Sequence, residues 1–465
     1  MKRGPLGRFL PWGMKRAQVG EDARARNLRP APTPRVDAIA IIAAMPGRRV
    51  LQTLSALYVA QAANVILPLV TIPFLARALG AHEWGAIALA QACAAWLALV
   101  VDYGFSITAT REVARANGDR GRVAELLAGV QGAKLVVACG AGLLALAATQ
   151  WVPVLAAQPA AALAAVVAGI AQGFHPGWLF QGLERLRLVS AVDAALKVAA
   201  TVATVLLVQA PGDGWLALAC TAAAWGGSSL FANALAYHHV GFRPLRWAAT
   251  VTALSRGWQL FVYRVALSLY STTNALLLGV LAPAAAVAYY AGADKVVRAP
   301  LNLLWPVIGA LYPHANRIGA NDPAAAWRLA RRTLAVATGA AALVGLGLAL
   351  AAPEVVRLLL GQGYHDAVPA LRIMTLLLPV IAASTVIGTQ VMLPAGMDRQ
   401  FTRIAITAGV INIAVALALA PTLQHVGMAW AVVASESGVL LWQWRATRHL
   451  LRGDPRLRVP AGAAS

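Results

Sequence analysis

Five cationic side chains fall inside apolar stretches of this sequence: Lys134, Lys197, Arg264, Lys295 and Arg298. A cation at the centre of a membrane helix costs roughly 2.5–3.5 kcal/mol on insertion scales, so each needs a partner or a wet cavity. Three acids share those stretches, Asp193, Asp294 and Glu436. Asp193 and Lys197 are spaced i, i+4 with the acid first, which reads as a structural pair on one helix face. Asp294 reaches Arg298 at the same spacing.

Subtracting acids from cations leaves an excess of two positive charges. A water-filled cavity between helices would tolerate that excess and attract an anion such as a phosphate or diphosphate, for which Arg is a bidentate donor. The candidate anion-binding residues are Arg264, Lys295, Arg298 and Lys134. For Arg264, near the start of its stretch, snorkelling to the membrane surface is an equal alternative. Lys295 lies about 16 Å into its stretch at 1.5 Å per residue, too deep to snorkel. Glu436, between Ser435, Ser437 and Gly438, is a candidate to carry a coupling ion together with Asp294; a hydrogen-bonded helix contact is the competing reading of Glu436. Gln61 and Asn64, on one helix face, and Asn274 are candidate polar cavity residues, with interhelical hydrogen bonding as the alternative.

The elements that must position these groups follow from composition. The chain has 465 residues, 59% hydrophobic and 12% charged, and a mean hydropathy of +0.66, whereas soluble domains carry about a quarter charged residues. The apolar sequence is cut into twelve blocks, near 51–75, 84–107, 124–149, 152–174, 188–209, 215–237, 258–281, 284–312, 333–351, 371–395, 403–420 and 425–444. Bilayer-length blocks predict membrane-spanning helices. The expected fold is all-α and polytopic, about twelve transmembrane helices in two pseudo-symmetric six-helix bundles. The domain reading is a disordered basic extension over 1–48, an N-terminal bundle over 49–240, a cytoplasmic linker over 241–257, a C-terminal bundle over 258–448 and a basic tail over 449–465. A weak internal repeat supports two halves: Trp84–Ala88 opens its block much as Val287–Ala291 opens another.

The net charge of +21 would suggest nucleic acid in a soluble protein. Placement argues otherwise. Of 39 Lys and Arg, 31 lie in the termini and alternate gaps, against three in the intervening gaps. The positive-inside rule then puts both termini in the cytoplasm. Met45 offers an alternative start shortly before the first block. Cys93, Cys139 and Cys220 show no paired spacing for a metal or a disulfide framework. The gaps are too short for a catalytic domain, and no nucleotide-binding loop or metalloprotease motif is present. Prolines 68 and 73 in the first block, and 300, 306 and 313 in the eighth, predict kinks.

Several stretches resemble the bacterial polysaccharide-biosynthesis flippases, the oligosaccharide-lipid exporters of the superfamily that also holds drug and lipid II transporters. The most specific is FHPGWLFQGLE, Phe174 to Glu184, whose Pro176, Trp178, Phe180, Gln181, Gly182 and Glu184 are similar to the family's loop after the fourth helix. VDYGFSITATREVAR (Val101 to Arg115), LFVYRVALSLYSTTN (Leu260 to Asn274), the stretch Ala288 to Pro313 and EVVRLLLGQGYHDAVPALRIM (Glu354 to Met374) resemble further family segments. The basic N-terminal extension and Glu436 depart from the pattern.

The resemblance implies a non-enzymatic flippase of the bacterial inner membrane that turns a polyprenyl-diphosphate-linked oligosaccharide from the cytoplasmic to the periplasmic leaflet by alternating access. A proton or sodium gradient would drive it, no cofactor or metal is called for, and a polysaccharide polymerase and chain-length proteins are the implied partners. Competing readings are a multidrug or cation antiporter of the same superfamily, which would want an acidic cavity, a lipid II flippase, which would typically have fourteen helices, and an integral-membrane glycan polymerase or ligase, which would want a sizeable periplasmic loop.

Overall fold

The computed structural model describes the backbone of residues 47–451 apart from 117, 272 and 322. Side chains are described from 67 onward, with residues 304–324 the longest stretch left out. Gln61 and Asn64, and the disordered extension expected over most of 1–48, lie outside the described residues.

Every regular element among the described residues is helical, and eight helices are long and apolar enough to cross a membrane. In hydrocarbon each backbone N–H and C=O must be satisfied within the chain, so long apolar segments become helices. In order these are α1 (Gly47–Asp102), α2 (Phe105–Arg115), α3 (Arg120–Trp151), α4 (Pro153–Ala156), α5 (Pro159–Phe174), α6 (Gly177–Gly182), α7 (Leu186–Leu207) and α8 (Gly214–Val240). They are followed by α9 (Trp247–Ser271), α10 (Thr273–Leu281), α11 (Ala284–Asn321), α12 (Pro323–Leu350), α13 (Ala352–Leu359), α14 (Ala367–Met374), α15 (Leu377–Ile387) and α16 (Asp398–Leu451).

Two of these are bent rods. α1 turns at Gly80 (φ 74°), and α16 turns at Gln424 (φ 48°). The helix runs on through Pro68 and Pro73, and its non-helical backbone is at Gly80. Glycine accepts that left-handed conformation without steric cost. Residues 241–257, expected as a linker, are helical from Trp247 onward.

The Arg-poor turns of the chain meet at one end. Glu83, just after the Gly80 turn, accepts the backbone N–H groups of Gly212 (2.6 Å) and Gly214 (3.1 Å). Tyr364 donates its hydroxyl to the Ala76 carbonyl at 3.1 Å, Arg77 donates to the Leu358 carbonyl, and a His425 ring nitrogen lies 2.8 Å from the Asp366 carbonyl. One buried apolar cluster runs through this end across both halves of the sequence, from Leu79, Trp84 and Leu89 to Leu278, Val287, Leu360 and Met428. Gly85 packs against the Ala284 carbonyl so tightly that a Cβ would collide with backbone. The two repeat-like segments, Trp84–Ala88 and Val287–Ala291, thus bury against each other.

The opposite end is held differently. Asp102 ends α1, and Tyr103 (φ 51°) with Gly104 (φ 79°) turns the chain into the short amphipathic helix α2. Tyr103 carries a left-handed backbone that costs a non-glycine residue about 1–2 kcal/mol. Its ring stacks on Phe261 of α9 at 4.4 Å, a contact that offsets part of that cost. Phe105, Ala109 and Val113 of α2 bury against Trp178, Leu179 and Phe180 of α6.

Candidate functional site

The HPGWLFQGLE segment is first a clasp. Trp178, Leu179 and Phe180 are buried, and Thr110 donates to the Trp178 carbonyl at 3.1 Å. Gly182 lies against Val113 and the Thr110 carbonyl, where a Cβ would have no room. Gly177 donates its N–H to His175 Nδ1 at 3.2 Å, which folds the turn before α6. At the other end of α6, Glu184 is left-handed (φ 57°) and donates its N–H to the Gln181 carbonyl, while Arg185 donates to Phe180 at 2.8 Å. This is the helix-ending arrangement in which glycine is usual. Glu184→Gly is therefore expected to stabilise the protein by about 1 kcal/mol. A thermal melt in detergent checks this, and a lowered midpoint would show that the carboxylate matters more than the backbone.

Two cavities open on this framework. The first, of about 290 Å³, is lined by α1, α7, α8 and α11, with Lys295 and Lys197 on its walls beside Gln91, Trp84 and Trp225. Lys295 donates to Gln91 Oε1 at 3.2 Å, and its ammonium lies 5.4 Å from the centre of the Trp84 ring. Among the described residues no carboxylate lies within 4 Å of Lys295. Lys197 is salt-bridged to Asp193 at 2.9 Å and sits 4.7 Å from the centre of the Trp225 ring. Its pairing with Asp193 is the one the spacing predicts. That the same lysine lines a cavity with Lys295 is a finding of the tertiary structure.

The second cavity, of about 490 Å³, lies toward the α2 and α6 end. Arg264 and Asp102 line it with Ser106, Gln172, His175, Trp178, Gln181 and Trp225. Trp225 therefore borders both cavities.

Arg264 is ion-paired to Asp102 and donates to Ser106 Oγ at 2.7 Å. Asp102 also faces Lys134 at 3.8 Å, and the Lys134 ammonium, fully buried, donates to the Gly173 carbonyl at 2.7 Å. This corrects the sequence-based charge count, which left out Asp102 although it lies within the block 84–107. With Asp102 included the excess falls from two positive charges to one, and Lys295 is the cation without a carboxylate partner. Lys134 lines neither cavity.

Arg298 and the second half form a separate cluster. Arg298 Nε donates to both Asp294 oxygens at 2.8 Å, and Glu436 of α16 stands within electrostatic range of that guanidinium. Asn274 is buried and hydrogen-bonds Tyr290 rather than lining either cavity. Asn412, also buried, donates to Ser435 at 3.3 Å, next to Glu436. Arg298, Asp294 and Glu436 are thus together and line neither cavity, with Asp294 in electrostatic range of Lys295 in the first. Among the described residues no group of three or more His, Cys, Asp or Glu has the geometry to hold a metal ion.

The sequence profile described as "Polysaccharide biosynthesis protein" matches residues 50–318, more than half of the chain. The chain belongs to this family. A curated relative from Escherichia coli (strain K12), named "Putative O-antigen transporter", is 28% identical over 382 residues, which cover 82% of this chain and 92% of the relative. A protein of the same name from Shigella dysenteriae is 23% identical over 84% of this chain and 98% of its own length. Among solved structures, lipid II flippase MurJ in an inward closed conformation superposes with a TM-score of 0.69 at 10% identity, covering 86% of this chain and 87% of that one. An inward-facing MATE multidrug transporter of the MOP superfamily gives 0.64 at 14% identity, over 85% and 96%. This member of the polysaccharide biosynthesis family therefore has the fold of those membrane proteins.

Proposed function

We propose that this chain is a flippase of the bacterial inner membrane that carries a polyprenyl-diphosphate-linked oligosaccharide from the cytoplasmic to the periplasmic leaflet. One observation carries the reading: Lys295 lines a cavity with a second lysine and, among the described residues, makes no direct ion pair, Asp294 acting on it only at longer range. A cation without a direct ion pair in low dielectric attracts an anion. A diphosphate supplies the matching charge, the prenyl tail stays in the bilayer, and the glycan crosses within the protein. The names of the curated relatives support the same cargo class.

Both termini are cytoplasmic in this reading, so the Arg-poor end is periplasmic. The contacts of Tyr364, Arg77 and Gly85 then close the periplasmic side, and the Arg264 cavity is the one nearer the cytoplasm. Two six-helix halves, 49–240 and 258–448, rock against each other to exchange access. Lys295 with Lys197 holds the diphosphate headgroup, while Arg264 stays engaged by Asp102. Glu436 and Asp294 couple transport to a proton or sodium ion: both carboxylates flank the guanidinium of Arg298, which an ion could replace as their partner. A polymerase and its chain-length proteins would consume the product.

The test is transbilayer movement in proteoliposomes of a fluorescent polyprenyl-diphosphate oligosaccharide, followed by lectin accessibility. Unaltered lipid should appear on the opposite leaflet in a protein-dependent way. Altered glycosidic bonds would mean a polymerase or ligase, and export of cationic dyes without lipid movement would mean an antiporter.

A further inference from the structure

We infer that the second cavity is a glycan subsite, which takes the sugar nearest the diphosphate on Gln181, His175 and Trp178 beside the ring of Trp225. The inference rests on the diphosphate reading above and goes further by dividing the substrate between two chambers.

The chemistry of the walls points to a neutral polyhydroxyl ligand. The guanidinium in this cavity is already engaged, because Asp102 pairs with Arg264 and Ser106 is a second partner. An anion would have to displace Asp102, which also serves buried Lys134. A prenyl chain would meet carboxamides and an imidazole. Sugars offer hydroxyl groups around their edge and flat C–H faces. They suit a pocket of carboxamides, N–H donors and indole rings.

Two of those donors have no partner among the described residues. Trp178 is 2% exposed and its Nε1 has no hydrogen-bond partner. His175 Nδ1 accepts from the Gly177 N–H, so the neutral ring carries its proton on Nε2, which is also buried and without a partner. A buried donor left unpaired costs about 1–3 kcal/mol, which a ligand oxygen would recover.

Position completes the argument. Trp225 borders both cavities, with the Lys197 ammonium over its ring and His175 edge-on to it at 6.1 Å. In a glycosyl diphosphate the first sugar is bonded directly to the distal phosphate. An anion held between Lys197 and Lys295 therefore places that sugar next to Trp225, at the boundary of the second cavity.

The experiment is calorimetric binding to the full-length protein in nanodiscs. The probes are farnesyl diphosphate and its glycosyl derivatives bearing one N-acetylglucosamine, N-acetylgalactosamine, glucose or galactose. At least one glycosylated probe should bind the wild type about tenfold more tightly than farnesyl diphosphate. Gln181→Ala and Trp178→Phe should each reduce that ratio to about twofold or less. Lys295→Ala should weaken all probes and leave the ratio standing. Equal binding of all five probes by the wild type would overturn the glycan subsite alone, as would an unchanged ratio in both Gln181→Ala and Trp178→Phe. If no probe binds the wild type, the diphosphate reading fails and the subsite with it.

Discussion

Lys295→Ala is expected to reduce surface polysaccharide to a few per cent of wild type while leaving the amount of protein in the membrane unchanged. The size follows from what the ammonium contributes. A hydrogen bond to a charged group is worth about 1.5–3 kcal/mol, so losing one such bond should lower affinity about tenfold to 150-fold. Insertion should not suffer, because Asp294 keeps its direct pair with Arg298 and the contacts Lys295 makes are to the Gln91 oxygen and the face of Trp84. Removing it relieves a desolvated charge. Lys295→Arg, which keeps the cation, should retain part of the activity, although the planar guanidinium fits the Trp84 wall differently. The measurement is complementation in a flippase-deficient strain, with immunoblotting of the membrane fraction. Full surface glycan in the alanine variant would reject Lys295 as the anion site.

Arg264→Ala would be a poorer test of the same idea. It removes a cavity cation and at the same time strips Asp102 of an ion pair, so loss of activity would not tell the two effects apart.

The second large effect is expected at Asp102, and it is one of stability. Asp102 compensates two cations, the guanidinium of Arg264 and the fully buried ammonium of Lys134. Breaking a buried pair by removing one partner typically costs about 3–5 kcal/mol, because the remaining charge stays desolvated. Asp102→Asn keeps the shape and removes the charge, and should markedly lower the detergent melting midpoint. Lys134→Met in that background removes the stranded ammonium and should restore most of the loss, since its remaining partner is a single backbone carbonyl. A double-mutant cycle on the melting data isolates the coupling. Independent, additive effects of the two substitutions would show that Asp102 and Lys134 do not interact.

These two cases also separate what was readable from sequence. The i, i+4 pairs Asp193–Lys197 and Asp294–Arg298 are legible because helical rise puts both partners on one face whatever the fold around them. The Asp102 triad is not. Its members lie on α1, α3 and α9, and no spacing in the chain links Asp102 to Lys134 or Arg264. Lys197 gives its pairing away, but its place in a cavity depends on α1 and α11 arriving opposite α7. The same holds for Trp225, whose position between two chambers has no local signal. The Pro176–Glu184 segment was legible as a motif; that Trp178 and Phe180 clasp α2 while Gln181 meets a cavity required the packing of α6.

The sequence by itself determined that the chain is an all-helical membrane protein with a basic excess in its interior. That much is local, because hydrocarbon demands apolar spans of bilayer length and forces each backbone to pair within its own helix. Which cations are neutralised beyond the two i, i+4 pairs was decided only by tertiary structure. Coulomb energy depends on distances of a few ångströms between side chains, here up to 162 positions apart in the chain. No periodicity records those distances, so the folded bundle alone leaves Lys295 as the cation without a carboxylate.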